Sequence, residues 1–123
     1  MKIAVTSVGT EMDSQVDPRF GRAAYFAIVD TETMAFEAVE NANVSAAGGA
    51  GINSAKVVID AGAEAVLTGN CGPNAERTLR AGNIKLYIGV TGTVAEAVEG
   101  FKAGRWQEAA GPNVGSHFGT GGP

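Results

Sequence analysis

The sequence predicts an α/β fold: one mixed five-stranded sheet of order 3-2-1-4-5, strand 2 antiparallel, with helices on both faces. Three observations predict it. In the second half of the 123-residue chain, short apolar runs alternate with stretches of helical periodicity, as strand–helix–strand units do. Such units place their strands parallel, joined by right-handed crossovers. Before Asn41, by contrast, three strand-like runs follow one another with only loops and a turn between them, which reads as an antiparallel meander. The runs also differ in polarity: the first is almost wholly apolar or small and belongs inside the sheet, while the third and fifth are mixed and suit edges.

Taken in order, KIAVTSV (Lys2–Val8) is the buried first strand, and a polar loop leads to Arg22. AAYFAIVD (Ala23–Asp30) is the second strand, Thr31-Glu32-Thr33 the turn, and MAFEAVE (Met34–Glu40) the third. After a loop ending in GGAG (Gly48–Gly51), Ile52, Ala55, Val58 and Ile59 recur at helical spacing, and Gly62 can take the left-handed position that ends a helix. A weak repeat follows. AGAEAVLTG (Ala61–Gly69) and AGNIKLYIG (Ala81–Gly89) each read as a helix stop feeding a strand. Between them Pro73 fits the first position of a short helix, where its missing N–H costs nothing, and Leu79 is that helix's apolar anchor. In the last helix Thr93 and Glu96 form a capping box, Val94, Ala97, Val98 and Phe101 make one stripe, and Gly104 ends it. The expected division is a single domain over 1–104 and a glycine-rich tail over 105–123. The layout is ribonuclease H-like.

Composition narrows the function. Hydrophobic residues make up 45% of the chain and charged ones 18%, as in a globular protein. A net charge of −4 argues against an electrostatic grip on nucleic-acid phosphates, so any anion site has to be built locally. One cysteine cannot close an internal disulfide. The apolar run at the N-terminus breaks at Gly9 and Glu11, too early for a signal peptide or a membrane span, which makes cytoplasm the expected compartment.

In the predicted topology four loops meet at one rim, the carboxyl edge of the parallel strands, where open α/β sheets bind ligands. The first contributes Arg19 and Arg22 from DPRFGR, and the second Gly48, Gly49 and Gly51 from GGAG. The third contributes Asn70, Cys71, Gly72 and Asn74 from TGNCGPN, and the fourth Thr91, Gly92 and Thr93 from GVTGT. Three of these loops open helices, whose first N–H groups and dipoles suit an anion. A small, multiply charged anion is the natural ligand. For any one loop, tight turns and arginines paired with Asp13 or Asp17 would be the simpler explanation; four loops at one edge favour binding.

DPRFGRAAYF, GGAG and TGNCGPNA, followed by GVTGTVAEAVEGF, together resemble the dinitrogenase iron–molybdenum cofactor biosynthesis family from Met1 to about Gly104. The resemblance implies a ribonuclease H-like fold and the binding or carriage of a metal–sulfur cluster. Within the family the chain looks like the members that carry a mixed molybdenum–copper sulfide cluster, which implies that cluster or a related molybdenum- or iron–sulfur cluster as cofactor, with a protein partner for cluster delivery or regulation. An iron–sulfur cluster held by protein takes about four thiolates, and a single cysteine cannot supply them. A thiomolybdate-type cluster brings its own sulfides and negative charge, and helix N-termini, backbone N–H groups and arginine could hold it.

Each single residue also has a plain explanation. Cys71, one residue before the expected helix cap Gly72, should be partly accessible with a lowered pKa. It could be a soft contact for copper(I), but as a nucleophile it lacks a base nearby, and a small loop residue is the simplest reading. His117, alone in the tail, is a weak metal candidate, and so is Met12, since methionine usually fills gaps in packing. Phe20 should anchor its loop to the core, and Tyr25, Phe26 and Trp106 should pack. Rival functions fare worse. A nuclease needs carboxylates gathered at the strand rim, and strand one has none. GGAG lacks the full dinucleotide-binding spacing, and no loop has a P-loop ending. A regulatory or scaffold protein, binding another protein or a small anion or nucleotide at the same rim, is the alternative. No acid–base pair or triad is visible, so no turnover is expected.

Overall fold

The computed structural model describes residues 1–41 and 50–109. Strand β1 (Lys2–Ser7) lies inside the sheet, as its apolar run requires. It pairs antiparallel with β2 (Tyr25–Asp30), which pairs antiparallel with β3 (Phe36–Glu40). On its other side β1 pairs parallel with β4 (Ala65–Leu67), and β4 parallel with β5 (Lys85–Ile88). Helix α1 (Ala50–Asp60) precedes β4, α2 (Pro73–Ala81) links β4 to β5, and α3 (Val94–Lys102) follows β5.

Side chains alternate between the faces of the sheet, and the two faces fill two cores. Ala4, Phe26, Ile28, Val66 and Leu86 pack with Ala55 and Val58 of α1 and Ala75 and Leu79 of α2. Ile3, Val5, Val29 and Leu67 pack on the opposite face with Val94, Ala97 and Val98 of α3. Each fully buried valine, leucine, isoleucine or phenylalanine contributes about 1.5–3 kcal/mol. The helix ends follow the expected signals. Gly62 (φ 82°) and Gly104 (φ 73°) take left-handed conformations just past α1 and α3, and Pro73 opens α2 behind Gly72. The Thr93–Glu96 capping box has both of its bonds.

The sheet corrects the prediction at one edge. It has six strands, ordered β3-β2-β1-β4-β5-β6, because Gln107–Glu108 forms β6. This strand pairs antiparallel with β5, so β5 is not an edge and β2 is not the only antiparallel member. A two-residue polar strand has no periodicity for sequence reading to detect. Its anchor is Trp106, whose indole N–H donates to the Ala97 carbonyl at 2.8 Å. The indole lies directly on Gly100 of α3: a Cβ there would stand 2.6 Å from Trp106 Nε1. Three strands are also shorter than their apolar runs suggest. Val8 is exposed beyond β1, Ala23 and Ala24 precede β2, and Met34 turns at φ 62° before β3.

Candidate functional site

The first loop, between β1 and β2, crosses the carboxyl ends of the central strands and is bonded to them along its length. Asp17 N–H donates to Thr6 O (2.9 Å), and the Thr6 hydroxyl donates to Asp17 O (2.6 Å). Asn70 N–H donates to Pro18 O (2.8 Å), and Phe20 N–H returns the bond to Asn70 O (3.2 Å). A Cβ at Gly69 would lie 2.8 Å from Pro18, so only glycine lets the two loops touch there. Phe20 is buried against Phe26, ring centroids 5.5 Å apart, and holds the loop down as expected. Three of the four rim loops are therefore joined by their backbones: the first, the Asn70–Asn74 loop and the Thr91–Thr93 loop, which Val16 N–H reaches at Gly92 O (2.8 Å).

The two ends of the rim differ, which corrects the expectation that each helix start offers open N–H groups. At α3 the amides are taken. Val94 N–H donates to Ser14 O (2.9 Å) and Ala95 N–H to Met12 O (2.8 Å). Glu96 N–H donates to the Thr93 hydroxyl, and Thr93 N–H to Glu96 Oε1. The first loop thus caps α3, and the Thr93 amide is no longer available to a ligand. Met12, half-buried against the α3 core, serves the same end through its carbonyl.

At the α1 and α2 end the arrangement is different. A Cβ at Gly21 would stand 3.1 Å from Gly51 Cα, and one at Gly51 would stand 3.2 Å from Ala75 Cβ. The loop, the start of α1 and the start of α2 therefore form one close stack. Gly72 caps α2 without a side chain, and Pro73 has no N–H. The Asn74 and Ala75 amides, next in line, have no acceptor among the described residues. The Asn74 side chain turns away from them to accept from Arg77 (2.6 Å). Arg19 and Arg22 are exposed on the loop beside this stack. Arg19 is tethered at its base: its N–H and its Nε both donate to Asp17 Oδ1, at 3.0 and 3.4 Å.

Cys71 is one residue before the cap, as predicted, but it is buried (1% exposed) and its pKa is pushed up to about 12 rather than lowered. Loss of hydration is the main cause, and the buried Glu76 carboxylate in the first turn of α2 adds repulsion. A helix N-terminus offers a charge at most about 2 kcal/mol, too little to offset burial among Phe20, Ala75 and Leu79. Gly48, Gly49 and His117 lie outside the described residues. Among the described residues no three His, Cys, Asp or Glu side chains gather to hold a metal ion. No described helix is long and apolar enough to cross a membrane.

Sequence reading missed two polar residues behind the rim. Asn41 and Ser54 are both buried, and together they bond the exit of the first loop. A serine on the apolar side of α1 was the available signal, since a buried hydroxyl implies a partner.

The family described as dinitrogenase iron-molybdenum cofactor matches residues 1–104. The apo form of the orange protein from Desulfovibrio gigas is 48% identical, covering 91% of this chain and 95% of that one, with a TM-score of 0.89. A Thermotoga protein described as a NifB candidate is 40% identical over 87% of this chain and 91% of its own, with a TM-score of 0.77. An uncharacterized protein of Methanocaldococcus jannaschii is 26% identical over 88% of this chain and 95% of its own.

Proposed function

The chain belongs to the dinitrogenase iron–molybdenum cofactor family, and from that premise we propose that it binds or carries a metal–sulfur cluster at the rim, without turnover. The cluster is a molybdenum-containing sulfide, molybdenum–copper as the sequence resemblance implies, and the 48% identity to the orange protein supports that choice. We read the fold as ribonuclease H-like, the compartment as cytoplasmic, and a protein that delivers or receives the cluster as the partner.

The observation that carries this reading is the stack of the first loop on the starts of α1 and α2. It sets two guanidinium-bearing residues beside the α2 amides of Asn74 and Ala75, which lack acceptors among the described residues. The chemistry of these donors fits a sulfide cluster. An anion that brings its own sulfides needs charge and N–H groups, not thiolates. Arg19 and Arg22 would supply charge-assisted hydrogen bonds, and the amides of α2 would orient them. Gly51, Asn70 and Gly72 line the approach with little side-chain bulk. Cys71, beneath the surface, would shape the floor rather than ligate, so Cys71→Ser protein should keep its metal.

Metal analysis and visible absorption of protein from its native cells test the proposal. Molybdenum and copper with a sulfide-to-metal charge-transfer band are expected. In vitro, metal-free protein should bind tetrathiomolybdate plus copper(I) at low salt. Colourless native protein without molybdenum, together with no uptake in vitro, would overturn it.

A further inference from the structure

We infer that Asn41 and Ser54 are positioning residues for the rim, forming a buried relay that fixes the loop carrying Arg19 and Arg22 against the first turns of α1. The inference rests on the cluster-binding reading above and deepens it. Asn41 comes directly after β3, and Ser54 is in the second turn of α1; both are at most 1% exposed.

The directions of the bonds follow from which groups can donate. Asn41 Nδ2 has two protons, given to Ala23 O at 2.9 Å and to Ser54 Oγ at 3.0 Å. Ser54, having accepted, gives its single proton to Gly21 O at 3.2 Å. Asn41 N–H also donates to Ala24 O at 3.0 Å. Three loop carbonyls, those of Gly21, Ala23 and Ala24, are thereby held from one point. These residues immediately precede β2 and bracket the position of Arg22, so the relay sets where the second guanidinium leaves the backbone.

Helix α1 does not need polar atoms here to pack. Burying an amide and a hydroxyl costs free energy unless both are bonded, and apolar residues of similar size would anchor the helix as well. What the polar pair adds is direction. The Gly21–Gly51 contact is close but non-directional, and the relay determines which way the loop lies upon it. Because Gly51 in turn rests on Ala75, a shift of the loop changes the distance from the arginines to the α2 amides.

Ser54→Ala tests this in two independent ways. In metal-free protein, hydrogen exchange at the Phe20 and Ala23 amides should quicken, since the first ties the held loop to Asn70 O and the second closes it on Phe20 O. In the titration with tetrathiomolybdate plus copper(I), binding should weaken about three- to tenfold, as loss of one buried hydrogen bond predicts. The visible circular dichroism induced in the bound cluster should change, which a loss of stability alone would not cause. Asn41→Ser shortens the relay and is read in the same ways should Ser54→Ala not fold. Unchanged exchange overturns the positioning role whatever the ligand. Quickened exchange with wild-type affinity and dichroism confines the pair to stability and overturns the inference. If wild-type protein binds no cluster, the site reading fails, and with it the role of the relay toward a cluster.

Discussion

At the residue scale Cys71 shows how environment overrides position. Its place before a helix cap argues for a thiolate, and its burial among apolar side chains argues for a thiol. Burial wins, with the pKa pushed up to about 12 from an ordinary 9.0. The consequence for stability has a definite sign. Between pH 9 and 12 the unfolded chain loses the thiol proton while the folded chain keeps it. The unfolded state is favoured as pH rises through that window, by up to about 1.4 kcal/mol per pH unit. Below pH 9 both states are protonated and the group is silent. Wild-type protein should therefore lose stability more steeply than Cys71→Ala from pH 9 upward in denaturant titrations, with other alkaline groups cancelling in the comparison. Iodoacetamide should label native protein slowly at pH 8 and unfolded protein fast. Parallel pH profiles for the two proteins, or rapid native labelling, would show an accessible thiolate instead.

At the scale of elements, two of the helix starts facing the rim, those of α3 and α2, are built differently. The α3 start is closed by its capping box and by the carbonyls of Met12 and Ser14; the α2 start has a glycine cap and a proline, with no side-chain acceptor. Thr93→Ala should therefore cost about 1 kcal/mol, a drop of a few degrees in the thermal midpoint. It should leave affinity for tetrathiomolybdate plus copper(I) within about twofold of wild type. Calorimetry and the metal titration check the two halves separately; a large loss of affinity in a folded variant would return α3 to the binding site. The capping box was legible because its signal is local: two residue types three positions apart. The bonds that close α3 were not, because carbonyls of Met12 and Ser14 reach it from the other end of the chain, and carbonyls carry no residue identity. The same distinction runs through the sheet. Five strands were legible from runs of apolar residues. β6 was not, since Trp106 against Gly100 holds it, a contact that neither residue announces alone. Of the candidate site, the convergence of loops followed from topology, whereas the Asn41–Ser54 relay depends on contacts between β3 and α1 that spacing does not encode.

At the scale of the whole molecule the question is how an acidic protein would hold the proposed anion. Thirteen acidic residues face nine basic ones, so the distant field would repel the proposed sulfide cluster, and the rim would have to attract it. Salt separates the two contributions by sign. The Debye length is about 10 Å at 0.1 M, so added salt screens both contributions, and the sign of the change in affinity shows which is larger. If Arg19 and Arg22 dominate, affinity falls as salt rises; if the net charge dominates, affinity rises. The pairing of Arg19 with Asp17 does not prevent the first outcome. Its Nε lies 3.4 Å from the carboxylate, and the side chain is 58% exposed, so the pair is worth only about 0–1 kcal/mol. The planar guanidinium still has donors to turn toward a ligand. Arg19→Gln and Arg22→Gln should each loosen the cluster about tenfold at low salt with little change in thermal midpoint. The double variant should lose the salt-induced fall and begin to show the opposite slope, because only the repulsive field remains. If both single variants bind as tightly as wild type at low salt, or wild-type affinity rises with salt from the outset, the arginines do not hold the cluster.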